Sequence, residues 1–216
     1  MNLTSSRHHS DACKPIQPAP LKVENTGHSL QINFPLSHDD NPVIPGGYVL
    51  LLGRKHHLRQ IHFHAPSEHR VHGEAHRMEA HFVHATDRGQ LLVMGLFMDV
   101  AGDGQEAATF LDWIIPVAGQ CDIKGKQSEV EPSMDLEAVA TVIRKSVSYY
   151  CYQGSLTTPP LSDGVYWLLC SDVVKFRLEV ISAIETDLPK RNFRPAQLSH
   201  AHARPTNLRT EFRLFL

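Results

Sequence analysis

Two histidine-rich stretches, separated by a short polar connection, constrain the fold of this chain more than any other feature. Residues 60–64 read Gln-Ile-His-Phe-His and residues 78–84 read Met-Glu-Ala-His-Phe-Val-His, so polar and apolar side chains largely alternate. Such alternation is typical of a β-strand, in which side chains two positions apart share a face. The connection over residues 70–76 is polar and contains Gly73. We therefore expect the two strands to pair as antiparallel neighbours.

This pairing directs the imidazoles of His62, His64 and His81 to one point on one face of the sheet. Three neutral imidazole nitrogens with a fourth position left open are the ligand set of a catalytic zinc ion. A lone strand histidine is more often a hydrogen-bonded polar residue, and the chain holds 15 histidines, so the spacing needs support. Gln60 and Glu79 supply it, because each lies two residues before a proposed ligand, on the same face, where it can accept a hydrogen bond from the ring. The sequence thus predicts a Zn²⁺ site.

Three separated motifs, in this order, resemble the α-class carbonic anhydrases, and the bacterial members in particular. They are His-Phe-His-Ala-Pro-Ser-Glu-His at residues 62–69, Glu-Ala-His-Phe-Val-His at 79–84 and Gly-Ser-Leu-Thr-Thr-Pro-Pro at 154–160. The resemblance extends from about Val23 to Arg213. It implies a mainly β (α+β) fold, a single domain around a central, mostly antiparallel, twisted β-sheet with a few short peripheral helices.

The resemblance also implies an activity, the reversible hydration of carbon dioxide to bicarbonate and a proton by a zinc lyase, with weak ester hydrolysis as a by-product. Zinc held by three neutral histidines brings the pKa of bound water near neutral pH, a property for which carbonic anhydrase is itself the standard example. Thr157 matches the family's threonine that orients the resulting hydroxide, and Glu68 matches the carboxylate that holds this threonine's hydroxyl as a donor. His28 matches the proton-shuttling histidine, a role that suits an imidazole because it titrates near neutral pH.

Further positions around the metal follow from the same resemblance. The backbone carbonyl of Asn192 is implied to hold the His64 ring, whereas His69 and His84 match buried structural positions and are not ligands. Thr158 is implied to contact bicarbonate. Five apolar side chains match the family's pocket wall for CO₂: Val83, Val93, Leu156, Val165 and Trp167. Ordinary core packing is nearly as good an interpretation of these five from the sequence alone.

The first twenty residues differ in composition from the rest of the chain. Residues 1–20 are polar and proline-rich and contain no apolar stretch of the kind found in secretory signals. Residues 21–216 are expected to form the catalytic domain, without the family's usual front portion and its Gln-Ser-Pro-Ile motif. As the chain stands this favours a cytoplasmic protein, and a periplasmic or secreted one if the chain begins inside a longer gene.

Charge and cysteine content argue against other classes of function. The net charge of −2, with both signs interspersed, does not favour a nucleic-acid partner, and the apolar runs are too short to span a membrane. Cys13, Cys121, Cys151 and Cys170 show no Cys-x-x-Cys spacing, so a cysteine zinc site is not expected. Leu161 stands where secreted bacterial relatives commonly carry a disulfide cysteine, so that bridge is not expected either.

Helical patterns are few. They predict short helices over residues 105–115, 135–147 and 172–184. His56 and His57, just before the first histidine strand, are expected to be exposed and without a role.

Two alternatives to the enzyme stay open. One is a noncatalytic binding protein of the carbonic anhydrase type, although such relatives typically lack a ligand histidine, and the other is a truncated product that folds poorly. A different zinc hydrolase is disfavoured because no His-Glu-x-x-His helix is present.

Overall fold

The computed structural model describes residues 21–34, 47–130, 136–145, 148–197, 205–206 and 212–215. Within this part of the chain, eleven strands form one sheet. The strands are β1 (Leu21–Asn25), β2 (Leu30–Asn33), β3 (Tyr48–Leu51), β4 (Arg54–His64), β5 (Met78–Ala85), β6 (Leu91–Val100), β7 (Gln127–Val130), β8 (Tyr149–Ser155), β9 (Asp163–Phe176), β10 (Pro205–Thr206) and β11 (Phe212–Phe215). The helices are a 3₁₀ helix (Asp112–Val117), α1 (Leu136–Lys145) and α2 (Leu178–Thr186).

The sheet is mainly antiparallel, as predicted. Neighbouring strands follow the order β10-β8-β9-β6-β5-β4-β2-β1-β7, and a side branch attaches β3 to β4 and β11 to β3. Of the strand pairs in the described residues, β6 with β9 is parallel and the others are antiparallel. The predicted fold class, a large mostly antiparallel sheet with a few short helices, is therefore confirmed. None of the described helices is long and apolar enough to cross a membrane.

The two histidine stretches lie at the centre of this sheet. β4 and β5 pair in antiparallel register, with His62 directly opposite His81 and His64 directly opposite Glu79. Residues that lie opposite each other project from the same face of a sheet. The connection between the strands turns at Gly73, whose φ of +86° glycine adopts without strain. The predicted pairing is thus confirmed, and it gathers the histidines on one face.

The other face of the same strands belongs to the main hydrophobic core. Ile61 and Phe63 of β4 and Phe82 of β5 alternate with the histidines and are at most 3% exposed. They join buried residues of the 3₁₀ helix and α2, such as Ile114 and Ile184. Burial of each such side chain contributes about 1.5–3 kcal/mol. The alternation therefore places core residues that stabilise the sheet on one face and the histidines on the other face.

Two predicted helix boundaries are wrong. Residues 105–111 are not helical, and only a 3₁₀ helix follows from Asp112. The third helix begins at Leu178 and not at Asp172, because β9 continues to Phe176. β9 pairs with β6 over nearly its whole length, so sheet pairing overrides the helical pattern of the sequence. The second helix is found as α1, within the predicted range.

The expectation for His56 and His57 is also wrong. Both lie inside β4, opposite Val49 and Tyr48 of β3, so the strand begins earlier than the sequence indicated. His56 is only 1% exposed, and His57 is half-buried. Cys13, for which no disulfide was expected, lies with the rest of residues 1–20 outside the described residues. Among the described residues, Cys121, Cys151 and Cys170 form no disulfide.

Candidate metal centre

Three histidines converge on the face of β4 and β5 that is turned away from the main core. One ring nitrogen from each of His62, His64 and His81 lies within 4.8 Å of the other two. The ring centroids are 4.9, 5.0 and 4.6 Å apart. All three side chains are buried, and the most accessible of them, His62, is 7% exposed. The structure thus brings the three predicted ligands together.

A hydrogen bond at the outer nitrogen of each ring fixes which nitrogen faces the centre. Each acceptor is a carbonyl or carboxylate oxygen, which has no proton to give, so the ring nitrogen must be the donor. A neutral ring that donates at one nitrogen carries a lone pair on the other. The bonds run from His62 Nδ1 to Gln60 Oε1 (2.8 Å), from His64 Nδ1 to the Asn192 carbonyl oxygen (2.5 Å) and from His81 Nε2 to Glu79 Oε1 (2.8 Å).

The three inner atoms, His62 Nε2, His64 Nε2 and His81 Nδ1, are therefore all acceptors. His62 Nε2 and His81 Nδ1 are 3.2 Å apart, but neither has a proton to donate to the other. His64 Nε2 is buried and has no hydrogen-bond partner among the described residues. Buried polar atoms are nearly always paired, so three converging unpaired nitrogens indicate a missing partner of positive charge. Three neutral imidazoles with these spacings fit Zn²⁺.

Burial keeps these rings in the form that binds a metal. It lowers the pKa of His62 well below the ordinary histidine value, and the neighbouring His81 and His64 lower it further. Burial also lowers the pKa of His64 to about 4, and His81 acts in the same direction. A metal binds the neutral imidazole, so these two rings need not lose a proton at neutral pH before binding one.

Glu79 is shared between His81 and a further histidine, His69. Its Oε1 accepts hydrogen bonds from His81 Nε2 at 2.8 Å and from His69 Nδ1 at 2.5 Å. The Tyr152 hydroxyl lies 2.5 Å from His69 Nε2 and completes the chain. Burial alone would raise the pKa of Glu79, but its electrostatic interactions and hydrogen bonds with His69 and His81 lower it well below its usual range. Glu79 is thus held ionised as the acceptor that orients His81.

The group of His69, Glu79 and His81 also has donor atoms within 4.8 Å of one another. Its facing atoms are already joined by the hydrogen bonds described above, so a metal there would have to displace all of them. The group therefore fits an orienting role better than a ligand role. His69 is partly buried, in the structural surroundings that the resemblance implied. Tyr152 was missed by sequence analysis, because its contact with His69 joins residues that are far apart in the chain.

A cavity of about 410 Å³ gathers the other predicted catalytic residues. His28, Glu68, Thr157 and Thr158 all line it. His28 is exposed and follows Gly27, whose φ of +80° makes the turn between β1 and β2. This turn places the side chain of His28 at the solvent-facing side of the cavity.

Glu68 connects this cavity to the histidine centre. Its Oε2 lies 4.0 Å from His81 Nδ1, and its Oε1 accepts the backbone N–H of Arg194 at 2.6 Å. Oε2 is buried and makes no hydrogen bond within the described part of the chain. The hydrogen bond between Thr157 and Glu68 that the resemblance implies is not among those formed by the described residues. The role of the Arg194 backbone was also missed by sequence analysis, because no local pattern marks it.

The five residues predicted to form an apolar wall lie together, apart from the main core. The Trp167 ring lies 4.8 Å from the His81 ring, so this small cluster adjoins the metal-binding face. Two further side chains, Leu91 and Tyr152, pack against it. The buried members are Val83, Val93, Val165 and Trp167, with Leu156 packed against them.

The fold and site define a sheet protein whose buried three-histidine group fits a metal cation, and comparison with known proteins gives its family. The eukaryotic-type carbonic anhydrase family model matches residues 4–211. Carbonic anhydrases of Neisseria gonorrhoeae and Pectobacterium carotovorum are 34% and 32% identical over 154 and 176 residues, or 71% and 82% of this chain. The α-carbonic anhydrase of Thermovibrio ammonificans, solved with the inhibitor sulfanilamide, has a TM-score of 0.69 and 31% identity, covering 86% of this chain and 74% of that one.

The chain belongs to the eukaryotic-type, or α-class, carbonic anhydrase family. It spans 54% of the length of the Neisseria relative and 65% of the Pectobacterium relative.

Proposed function

We propose that this protein reversibly hydrates carbon dioxide to bicarbonate and a proton, with zinc as its cofactor. One observation carries the proposal: three buried imidazole lone pairs converge beside a cavity and an apolar cluster. Membership of the carbonic anhydrase family supports it. The complete ligand set argues against the noncatalytic alternative, since such relatives typically lack one of the histidines.

Zinc fits the donor atoms of this site. His62 Nε2, His64 Nε2 and His81 Nδ1 would hold it, and their outer hydrogen bonds keep the rings aimed at it. When bound, Zn²⁺ supplies a nucleophile at neutral pH by lowering the pKa of the water in its remaining position.

The apolar cluster holds the substrate. Carbon dioxide is small, linear and without net charge, so it binds to apolar side chains and needs no directing ion pair. Trp167 lies beside His81, and Val83 and Val165 pack with it in one apolar cluster. They also exclude water, which strengthens the electrostatic interactions inside the site.

Thr157 and Glu68 orient the reacting oxygen. A carboxylate only accepts hydrogen bonds, so a hydroxyl bonded to Glu68 Oε2 must donate its proton there. In the proposed reacting state the Thr157 hydroxyl is this donor, and its oxygen accepts a hydrogen bond from the nucleophile and so orients it. Glu68 Oε1 is occupied by the Arg194 backbone N–H, which leaves Oε2 for this purpose.

His28 exports the proton. It is exposed at the cavity, which gives it access both to water inside the site and to buffer outside. An imidazole titrates near neutral pH and can therefore accept and release a proton in each turnover.

Stopped-flow measurement of CO₂ hydration on protein of known zinc content tests the proposal. We expect one zinc ion per chain, a rate that is lost with a chelator, and recovery of that rate when zinc is added back. Weak hydrolysis of an activated aryl ester should follow the same pattern. Protein with stoichiometric zinc but no hydration above the buffer rate would overturn the proposal, and aggregated, metal-free protein would favour the truncated product.

A further inference from the structure

The mouth of the cavity carries positive charge that the proposed reaction does not use. Among the lining residues, Lys190 and Arg191 are exposed cations, whereas the one acidic lining residue, Glu68, is buried. Within the described part of the chain, no ion pair joins Lys190 or Arg191 to a carboxylate. The third lining cation, Arg194, is engaged inside the site, where its guanidinium donates to Ser155 Oγ at 3.2 Å.

The backbone that carries these two cations is anchored to the metal-binding strand. The side chain of the next residue, Asn192, donates to the Phe63 carbonyl at 2.7 Å and accepts the Ala65 N–H at 2.9 Å. Arg191 itself has a φ of +56°, a conformation that is uncommon outside glycine. The backbone next to Arg191 is therefore anchored, through Asn192, to the residues on both sides of His64, the last residue of β4.

A further cation, on the loop between the 3₁₀ helix and β7, packs against a residue that lines the cavity. The side chain of Lys124 covers Gly27, a lining residue, so closely that a Cβ there would lie 2.6 Å from Lys124 Cδ. Its neighbour Lys126 is paired with Asp122 at 2.8 Å. Lys124 has no such pair among the described residues, so its charge remains available next to the turn that carries His28.

We propose that Lys124, Lys190 and Arg191 form an anion-binding site at the cavity mouth, called the rim site below. The rim site binds a small oxyanion that titrates near neutral pH. The bound oxyanion accepts the proton from His28. Hydrogen phosphate is an anion of this kind. The inference rests on the proposed function and names the chemical class of the buffer that serves it.

The proton transfer balances without a further reactant. The N–H bond of the His28 imidazolium breaks, an O–H bond forms on hydrogen phosphate, and dihydrogen phosphate and neutral imidazole remain. The anion loses one unit of negative charge in this step, so the rim cations hold the product more weakly than the acceptor and it leaves. Clustered charge of one sign at a cleft also raises the local concentration of the opposite ion.

The size of the site favours a small ion over a polyanion. Nucleic acids bind through many phosphate contacts along an extended basic surface. Here two exposed cations line one cavity of about 410 Å³ and a third packs against its lining residue Gly27, and the chain as a whole has a net charge of −2.

Binding of inorganic phosphate to the zinc-loaded protein tests the rim site directly, by ³¹P NMR titration at constant ionic strength. We expect saturable binding that weakens about five- to ten-fold in Lys190→Gln/Arg191→Gln, because two attractive charges are lost. Lys55→Gln is the control, since it removes a positive charge from the start of β4, at the opposite end of that strand from His64, and it should bind as the wild type does. No saturable binding to the wild type overturns the proposal. Equal binding to the double variant also overturns it, and this is the result that phosphate bound only at the metal would give.

Buffer dependence of CO₂ hydration tests the role of the bound anion. In the double variant the half-saturating concentration of phosphate should rise by the factor by which phosphate binding weakens. The half-saturating concentration of imidazole should stay unchanged, because imidazole carries no negative charge. The rate at saturating imidazole should also stay unchanged. An equal loss with both buffers, or no loss with either, overturns the role as proton acceptor. Zinc-loaded protein that does not hydrate CO₂ at all refutes the proposed function instead, and phosphate binding alone then decides whether the anion site exists.

Discussion

His81 Nδ1 lies 3.2 Å from His62 Nε2, and neither atom has a proton for the other. Glu79 and Gln60 accept the protons on the outer sides of the two rings. Two lone pairs at this distance repel each other, whereas a cation bound by both replaces the repulsion with two bonds. The ligands and the residues that orient them are therefore one unit, and their effects on metal binding should differ in a predictable way.

The His81→Ala variant should lose zinc. It removes one of the three converging lone pairs and also deprives Glu79 of one donor. We expect the variant to be stripped of metal by a chelator concentration that leaves the wild type with one ion per chain, as measured by elemental analysis. His28→Ala is the control and should keep its zinc, because His28 is exposed in a turn away from the three rings. Stoichiometric zinc in His81→Ala would show that the ligand assignment is wrong.

The variants Gln60→Ala and Asn192→Ala should separate metal affinity from stability. Gln60 holds His62 through its side chain, so its loss should weaken zinc binding about 10–100-fold with little effect on the free energy of unfolding. Asn192 holds His64 through its backbone carbonyl, which alanine keeps. Its side chain instead pairs with backbone groups of β4 and of Ala65, so its loss should cost about 1–3 kcal/mol of stability.

Competition with a chromophoric chelator and urea unfolding measure the two quantities on the same preparations. The interpretation would fail if Asn192→Ala weakened zinc binding more than Gln60→Ala did.

Gly95 is predicted to be the position that lets Glu79 reach His81. It lies opposite His81 on β6, and a Cβ there would lie 2.9 Å from Glu79 Oε1 and 2.7 Å from Leu169 Cδ1. Gly95→Ala should therefore displace the carboxylate, weaken zinc binding and cost about 1–3 kcal/mol of stability by overpacking. Gly102→Ala is the matched control, since its added Cβ would approach nothing closer than 3.5 Å. Equal zinc affinity in the two variants would contradict this role.

Sequence alone predicted the parts of this site that follow local rules. Alternation with a period of two identified the strands of the histidine stretches, and antiparallel pairing then placed His81 opposite His62. The burial of His56 could not be read in the same way, because it depends on β3 pairing with the start of β4. The extension of β9 to Phe176 likewise depends on its parallel neighbour β6.

The residues that complete the site come from far along the chain. Tyr152 meets His69 across 83 residues, and the Arg194 backbone meets Glu68 across 126. No local pattern encodes such a contact, since it exists only when the sheet has brought the segments together. The Asn192 carbonyl was expected from the family resemblance alone, and it lies 2.5 Å from His64 Nδ1.

The His28→Ala variant should slow CO₂ hydration without loss of metal. Removing the imidazole takes away a group that transfers the proton, so we expect turnover to fall about 10-fold or more in a buffer of low concentration. Added imidazole should restore part of the rate by taking over the transfer. Zinc content and thermal stability should stay at wild-type values, because the side chain is exposed. An unchanged rate, or a slow rate that imidazole does not improve, would remove the shuttle role.

Acid should destabilise the fold through His84, a buried histidine that is not one of the proposed ligands. His84 is 3% exposed, and its Nδ1 donates to the Phe82 carbonyl at 2.8 Å. Burial lowers its pKa from the ordinary 6.5 to about 3. Below pH 6.5 the unfolded chain therefore binds a proton at His84, whereas the folded chain binds this proton only near pH 3. This contribution to stability is fully present above pH 6.5 and is lost as the pH falls towards 3, by about 1.4 kcal/mol per pH unit.

Urea unfolding of zinc-free protein at a series of pH values from 7 to about 4.5 measures this slope. His84→Gln keeps a donor for the Phe82 carbonyl but cannot titrate, so its free energy of unfolding should fall less steeply with acid than that of the wild type, by about 1.4 kcal/mol per pH unit. The proposed ligand histidines are the same in both proteins, so their contribution cancels in the difference. His72→Gln, at an exposed histidine, should leave the slope at its wild-type value. If the slopes of His84→Gln and the wild type coincide, the buried ring is not a source of the acid sensitivity.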